Sequence, residues 1–407
     1  LTRIFRKSPG EKAAEHAAAP VARQERARNG GPAAAGAANR RWTAEIGSGF
    51  LPHGMLNAIF SVVGRIAAVA AVLLLLGPVA MPAAQPDPPA LLDPARLPYL
   101  SHEGRLDYGR YLLQPMPRAF ALAPNGAWGW AAAIEDDAAA TERRALENCN
   151  RFAGSGCRLY ARDLAVVWPG LEAEGETVAE TRLAGGRHWH LTPDRRFLWQ
   201  GAEAARGAYL WAHGRAAGGA DSRGGQPQPH VRAFNNAGYD VFRIDRDPQM
   251  DETESGAAWM REALLDLRRR GYARVVVGGQ SRGAWNALQA LSEPGLVDGV
   301  VAIAPAAHGP TGSPAHAWAL DDLRRVVAQA RAPGARVVVA NFAGDEYDPD
   351  PAQRSAIFSA LTGRAGGLLL LDRPRGIQGH GGGNDWRFTL GYAACLLDFV
   401  EGRARGC

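Results

Sequence analysis

From about residue 208 onward, short apolar runs alternate with longer amphipathic stretches. The runs AYLWA (208–212), YDVFRI (239–244), RVVVG (274–278), GVVAI (299–303), ARVVVANF (335–342) and GLLLL (367–371) have the length and branched-chain content of buried strands. Between them, residues 255–270, 317–332, 351–361 and 386–401 carry helical spacing. Strands that alternate with helices of this length call for a mostly parallel sheet covered on both faces. Active residues in such sheets lie beyond the carboxyl ends of the strands.

Upstream, residues 99–168 form a smaller α+β pattern. Two strands, 119–123 and 128–134, are joined by a turn at Pro124-Asn125-Gly126, a helix follows over 136–149, and a third strand covers 159–168. Residues 169–204 read as an acidic, strand-poor link and a lead-in containing Trp189 and Trp199, so the larger domain is expected over 205–407. Toward the start, residues 1–54 have no sustained apolar periodicity and read as a disordered tail. Met55 is the first methionine, and the only lysines, Lys7 and Lys12, lie before it, which is consistent with a start assigned too far upstream. Residues 55–84 hold Arg65, the apolar run 66–76, the breaker Gly77-Pro78 and small residues up to Ala84. That is the length of a cleaved export signal and short of the roughly 20 residues a spanning helix needs. An uncleaved N-terminal anchor is the alternative. Residues 85–98 read as a proline-rich linker.

Composition changes this picture in two places. The formal net charge of +5 invites a nucleic-acid reading, yet residues 1–54 hold nine basic and four acidic side chains and so account for the whole surplus. The balanced remainder gives no case for a polyanion partner. Of the four cysteines, Cys149 and Cys157 are spaced for a disulfide in an oxidising compartment, while Cys395, among apolar neighbours, is expected as a buried free thiol. No C-x-x-C pair occurs, so a structural zinc is not expected.

The candidate chemistry centres on Gly279-Gln280-Ser281-Arg282-Gly283, a G-x-S-x-G pattern between a strand and a helix. A serine on such a sharp turn needs neighbours without bulk, and the turn exposes its hydroxyl beside a helix N-terminus. Two later strand ends carry partners. Asp345 and Asp348 follow the strand at 335–342, and His380, flanked by glycines, follows the strand at 367–371. The order Ser…Asp…His is that of the α/β-hydrolases. Over about residues 208–403 the chain resembles that superfamily, on the elbow GGQSRG, the HG at His213-Gly214, the loop AGDEYDP and the segment GHGGG.

This resemblance implies an α/β-hydrolase fold and a serine esterase-like activity through an acyl-enzyme. Ser281 is the expected nucleophile, His380 the base and Asp345 the acid, with Asp348 the alternative acid. The backbone N–H of Arg282, and that of Gly214 or Arg215, would form the oxyanion hole. Residues 119–168 resemble small secreted bacterial domains in which an alanine-rich helix ends in a cysteine paired across a glycine-rich turn. That implies a structural or recognition module stapled by Cys149–Cys157.

Among the other histidines, His188 and His190 read as structural rather than as a metal pair, His213 as a turn or hydrogen-bonding residue, and His308 and His316 as structural too, with lining of the site as the alternative. No nucleotide-binding glycine motif occurs, so no cofactor is expected. The expected partner is a small-molecule or cell-envelope acyl substrate, with no nucleic acid and a membrane only through an uncleaved N-terminal segment. The expected location is exported, periplasmic or secreted. The competing reading is a non-catalytic envelope protein that keeps the hydrolase fold as a binding scaffold.

Overall fold

The structure, a computed structural model, describes residues 89–134, 137–180, 182–216, 219–348 and 350–407. The basic tail and the export-type segment lie outside the described residues, which all fall within one compact unit.

The smaller sheet is antiparallel, with strands β1 (Arg118–Leu122), β2 (Trp128–Ala132), β3 (Arg158–Arg162) and β4 (Ala165–Val166) in the order β2-β1-β3-β4. Alternation along β1 feeds two cores. Phe120 and Leu122 pack with Tyr108 and Tyr111 of helix α1 (His102–Leu112), while Ala119 and Ala121 pack with Ala145 and Cys149 of helix α2 (Ala138–Ala153). Asp137 caps α2 by accepting from the Ala140 N–H. The third strand expected over 159–168 is two strands, because Asp163, at φ 48°, turns the chain between β3 and β4.

The larger sheet has eight strands in the order β12-β11-β10-β9-β7-β8-β6-β5. These are β5 (Ala184–Gly185), β6 (Trp189–Pro193), β7 (Gly207–Ala212), β8 (Tyr239–Arg246), β9 (Val275–Gln280), β10 (Gly299–Ile303), β11 (Ala332–Asn341) and β12 (Ala365–Asp372). From β8 across to β12 neighbouring strands are parallel, while β6 and β5 run antiparallel at the far edge. Side chains alternate between two cores. Val275, Val277, Val300, Ala302, Val337 and Val339 face one, and Val276, Val301, Ile303, Val338 and Ala340 the other. Helices α4 (Thr253–Arg269), α5 (Arg282–Gln289) and α6 (Ala319–Gln329) cover the first face. Helices α3 (Val231–Asn236) and α8 (Trp386–Val400) cover the second, and α7 (Pro351–Ser359) follows β11. This is the expected α/β-hydrolase architecture, a mostly parallel sheet with helices on both faces.

Strand order also fixes where a site can form. From β7 the chain moves to β8 on one side, then crosses back to β9 and on to β12 on the other. The loops leaving β7 and β9 therefore diverge around a crevice at the switch point, where open α/β sheets bind ligands.

Two expectations are corrected. Trp189–Pro193, assigned to the lead-in, is a strand of the large sheet, burying Trp189, Leu191 and Pro193 in alternation against β8. Cys395 is neither free nor fully buried: it pairs with Cys407, as Cys149 pairs with Cys157. The reversal comes at Gly402 (φ 81°) after α8, where Arg403 and Ala404 N–H groups donate to Asp398 O and fold the tail back along the helix. Two disulfides are consistent with an oxidising, exported setting.

Candidate active site

Ser281 stands between the last residue of β9 and the first of α5, with φ 55° and ψ −120°. A non-glycine residue there is strained by about 1–3 kcal/mol, and the surroundings must hold it. Its N–H donates to Ile303 O of β10 (3.0 Å), and its carbonyl accepts from Trp285 N (3.0 Å) and Ala306 N (3.2 Å). The flanking glycines are required by close approach. A Cβ on Gly283 would lie 2.1 Å from Ala212 O, and one on Gly279 would lie 2.6 Å from the same carbonyl. The elbow thus packs directly on the end of β7. The Arg282 side chain is turned away into the protein, where it donates to Asp251 O (3.1 Å) and Ala307 O (2.8 Å).

His380 and Asp345 are brought together. The His380 Nδ1 lies 2.9 Å from Oδ1 and 3.0 Å from Oδ2 of Asp345, whose Oδ1 also accepts from Tyr347 N at 2.9 Å. A carboxylate on Nδ1 fixes the tautomer that leaves Nε2 free to accept a proton. That Nε2 is buried and has no hydrogen-bond partner among the described residues. The Tyr347 ring covers the imidazole at a centroid distance of 4.1 Å. The histidine loop is tied to the serine turn by Gln280, whose Nε2 donates to His380 O at 3.3 Å.

Asp348 is engaged elsewhere. Its Oδ2 lies 3.9 Å from Nε of buried Arg354, which also donates to Pro305 O. Burial holds the Asp348 carboxyl above its usual range, with Arg354 opposing the shift.

The loop after β7 faces Ser281. A Cβ on Gly214 would come within 2.5 Å of Gln280 Oε1 and 3.1 Å of Ser281 Cβ, so a side chain here would push the Gln280 amide aside and crowd the serine. His213 anchors the loop. Its Nε2 accepts from the Arg246 N–H (3.1 Å), which leaves Nδ1 to donate to Gly214 O (2.7 Å). Burial and the Arg246 charge push the His213 pKa down to about 4. Arg246 also donates to His213 O and pairs with Asp251 at 3.0 Å, both side chains being buried. Because Asp251 O accepts from Arg282, one network ties the loop after β7 to the first residue of α5.

His188, His308 and His316 each have a partner of their own. His188 pairs with Asp247 (3.0 Å) beside Trp259, and His308 pairs with Asp322 (2.5 Å) edge-on to Trp285. His316 lies 3.1 Å from Gly309 O. Among the described residues no group of three or more histidine, cysteine or acidic side chains is placed to hold a metal. Sequence reasoning missed Gln280, Tyr347 and the Arg246–Asp251 pair. Gln280 and Tyr347 sit inside quoted motifs, but Arg246 and Asp251 gave no signal, since buried ion pairs leave no spacing pattern.

No protein-family model and no curated protein matches the chain. Solved structures similar to it include an esterase of Pyrococcus furiosus (14% identity, 53% of this chain and 86% of that one, TM-score 0.37). Est1E from Butyrivibrio proteoclasticus (13%, 53% and 94%, TM-score 0.37) and a puromycin hydrolase (17%, 62% and 43%, TM-score 0.40) are others. These are distant likenesses, and the fold assignment stands on the sheet's own strand order and the elbow at Ser281.

Proposed function

We propose that the protein is an exported serine hydrolase that cleaves an ester or related acyl bond. The observation that carries the reading is the His380–Asp345 pair, with a buried, unpartnered Nε2, tied by Gln280 to the strained turn bearing Ser281. In this reading Ser281 Oγ attacks the acyl carbon while its proton passes to His380 Nε2. The imidazolium, stabilised by Asp345, then protonates the departing alcohol, leaving an acyl-serine. Water attacks the acyl carbon next, His380 takes its proton, and Ser281 recovers its own as the acid leaves.

Negative charge on the acyl oxygen would meet the N–H of Arg282 at the start of α5. The second donor is the N–H of Arg215. His213 holds the Gly214 carbonyl, and a trans peptide points the Arg215 N–H the opposite way from that carbonyl. Asp348 is left out of the mechanism because it is committed to Arg354. Export is supported by the two disulfides and by the signal-like pattern of residues 55–84.

The test is hydrolysis of p-nitrophenyl acetate by the purified protein. Ser281→Ala should lower kcat by at least about 10⁴-fold with an unchanged circular dichroism spectrum. Equal turnover by wild type and S281A would overturn the assignment.

A further inference from the structure

Beside the serine turn lies a cavity of about 410 Å³ whose lining includes Trp211, Gly214, Gln228, Gln280 and Asn384. Gln228 is 4% exposed, yet neither its Oε1 nor its Nε2 has a hydrogen-bond partner among the described residues. The same loop supplies a contrast. Two residues earlier, Gln226 has both ends of its amide filled, accepting from Met116 N and donating to Met116 O at 2.8 Å each. The Gln228 amide packs against Gly383, where a Cβ would lie 2.5 Å from Oε1 and 2.6 Å from Ile303 Cγ2. Gly383 belongs to the His380 loop, so this amide is held between the histidine loop and the end of β10.

We propose that this cavity is a subsite for a neutral, hydroxyl-rich sugar portion of the substrate, read by Gln228. The proposal rests on the serine-hydrolase reading and names the substrate class for that site. A buried carboxamide left unpaired is costly, so a ligand that supplies both a donor and an acceptor should be favoured about 10- to 100-fold over one that does not. An aliphatic acyl chain offers neither. Vicinal hydroxyls offer both side by side, each group being donor and acceptor at once.

Charge points the same way. The charged arginine of the lining, Arg215, faces Glu252 at 3.9 Å, and His213 is held neutral, so among the described residues the lining holds no unpaired charge to select a carboxylate or phosphate. A peptide that bound by strand addition would need a sheet edge to run along. The edges, β12 and β5, are at opposite ends of the sheet from this central crevice. Trp211 gives the cavity one apolar wall for ring C–H groups.

The experiment compares kcat/KM of the full chain on 6-O-acetylglucose, ethyl acetate, p-nitrophenyl octanoate and N-acetylalanine methyl ester. Saturation-transfer NMR with methyl glucoside and methyl xyloside accompanies it. The sugar ester should exceed ethyl acetate at least tenfold. Gln228→Met should cut the sugar-ester to ethyl-acetate ratio by about 10- to 100-fold, and methyl glycoside saturation should disappear. Asn384→Ala, at an exposed position on the cavity's mouth, should lower the same ratio and guards against misfolding of the buried variant. A preference for the octanoate or the amino-acid ester, or an unchanged ratio in both variants, would overturn the proposal while leaving the hydrolase reading intact. Should the protein cleave no ester at all, the hydrolase reading fails, and glycoside saturation lost in Q228M still decides for the sugar subsite, its absence against.

Discussion

The imidazole of His213 accepts a hydrogen bond from the backbone N–H of Arg246 at 3.1 Å and so presents its other nitrogen to the Gly214 carbonyl. That contact holds the loop after β7 against the serine turn. His213→Ala frees the peptide that carries the Arg215 N–H, and kcat should fall about 10- to 100-fold with little change in KM. Steady-state kinetics on p-nitrophenyl acetate checks this. A rise in KM alone would mean the loop binds ground-state substrate and does not steady the transition state.

The two aspartates after β11 should separate by phenotype. Asp345→Asn puts the wrong group on His380 Nδ1, and kcat should fall by about 10³- to 10⁴-fold with the fold preserved. Asp348→Asn removes the buried partner of Arg354 and should instead cost about 3–5 kcal/mol of stability, with kcat of the folded fraction nearly unchanged. Urea denaturation and initial rates on both variants distinguish the two roles.

His230 gives the fold an acid sensitivity. It is fully buried between Trp211 and Phe388, neither ring nitrogen has a partner among the described residues, and burial pushes its pKa down to about 3. A base whose folded pKa is depressed binds its proton more readily when unfolded. Its contribution is therefore present above the ordinary histidine value near 6.5 and lost as pH falls toward about 3. His213 adds to the same trend down to about 4. Stability should decline from about pH 6.5 down to about 3, and His230→Phe should flatten that decline and stabilise the protein at neutral pH. Guanidinium melts of both proteins across this range provide the measurement.

Both disulfides can be counted. The denatured, unreduced protein should show no reactive thiol, and Cys407→Ser should show one, at Cys395. Closing a loop of this size contributes on the order of 3 kcal/mol, so the variant should also melt earlier. Thiol titration of the purified protein is the check.

Much of this was legible in the chain because strands and motif reinforce one another. Val275–Val277 with the glycines around Ser281 predict the elbow, and Asp345 and His380 follow strand ends in the required order. What escaped was written in tertiary contacts. Trp189–Pro193 does alternate, but over only five residues ending in a proline, and it is set in place by pairing with β8 and β5. Cys395 looked like a core thiol because the tail's reversal at Gly402 is invisible to a helical pattern. That Asp345 meets His380 while Asp348 faces Arg354, six residues beyond it on α7, could be read only from side-chain positions. Gln228 had no signature at all, since an unsatisfied amide can be recognised only once its surroundings are known.

The central claim is that Ser281 is a nucleophile activated by His380. Labelling with a fluorophosphonate, followed by mass spectrometry of the digested protein, tests it most directly. The account predicts one adduct per chain on the peptide containing Ser281, absent in Ser281→Ala and strongly slowed in His380→Ala. An unlabelled wild type, or an adduct that survives S281A, would contradict it and leave the hydrolase fold as a binding scaffold.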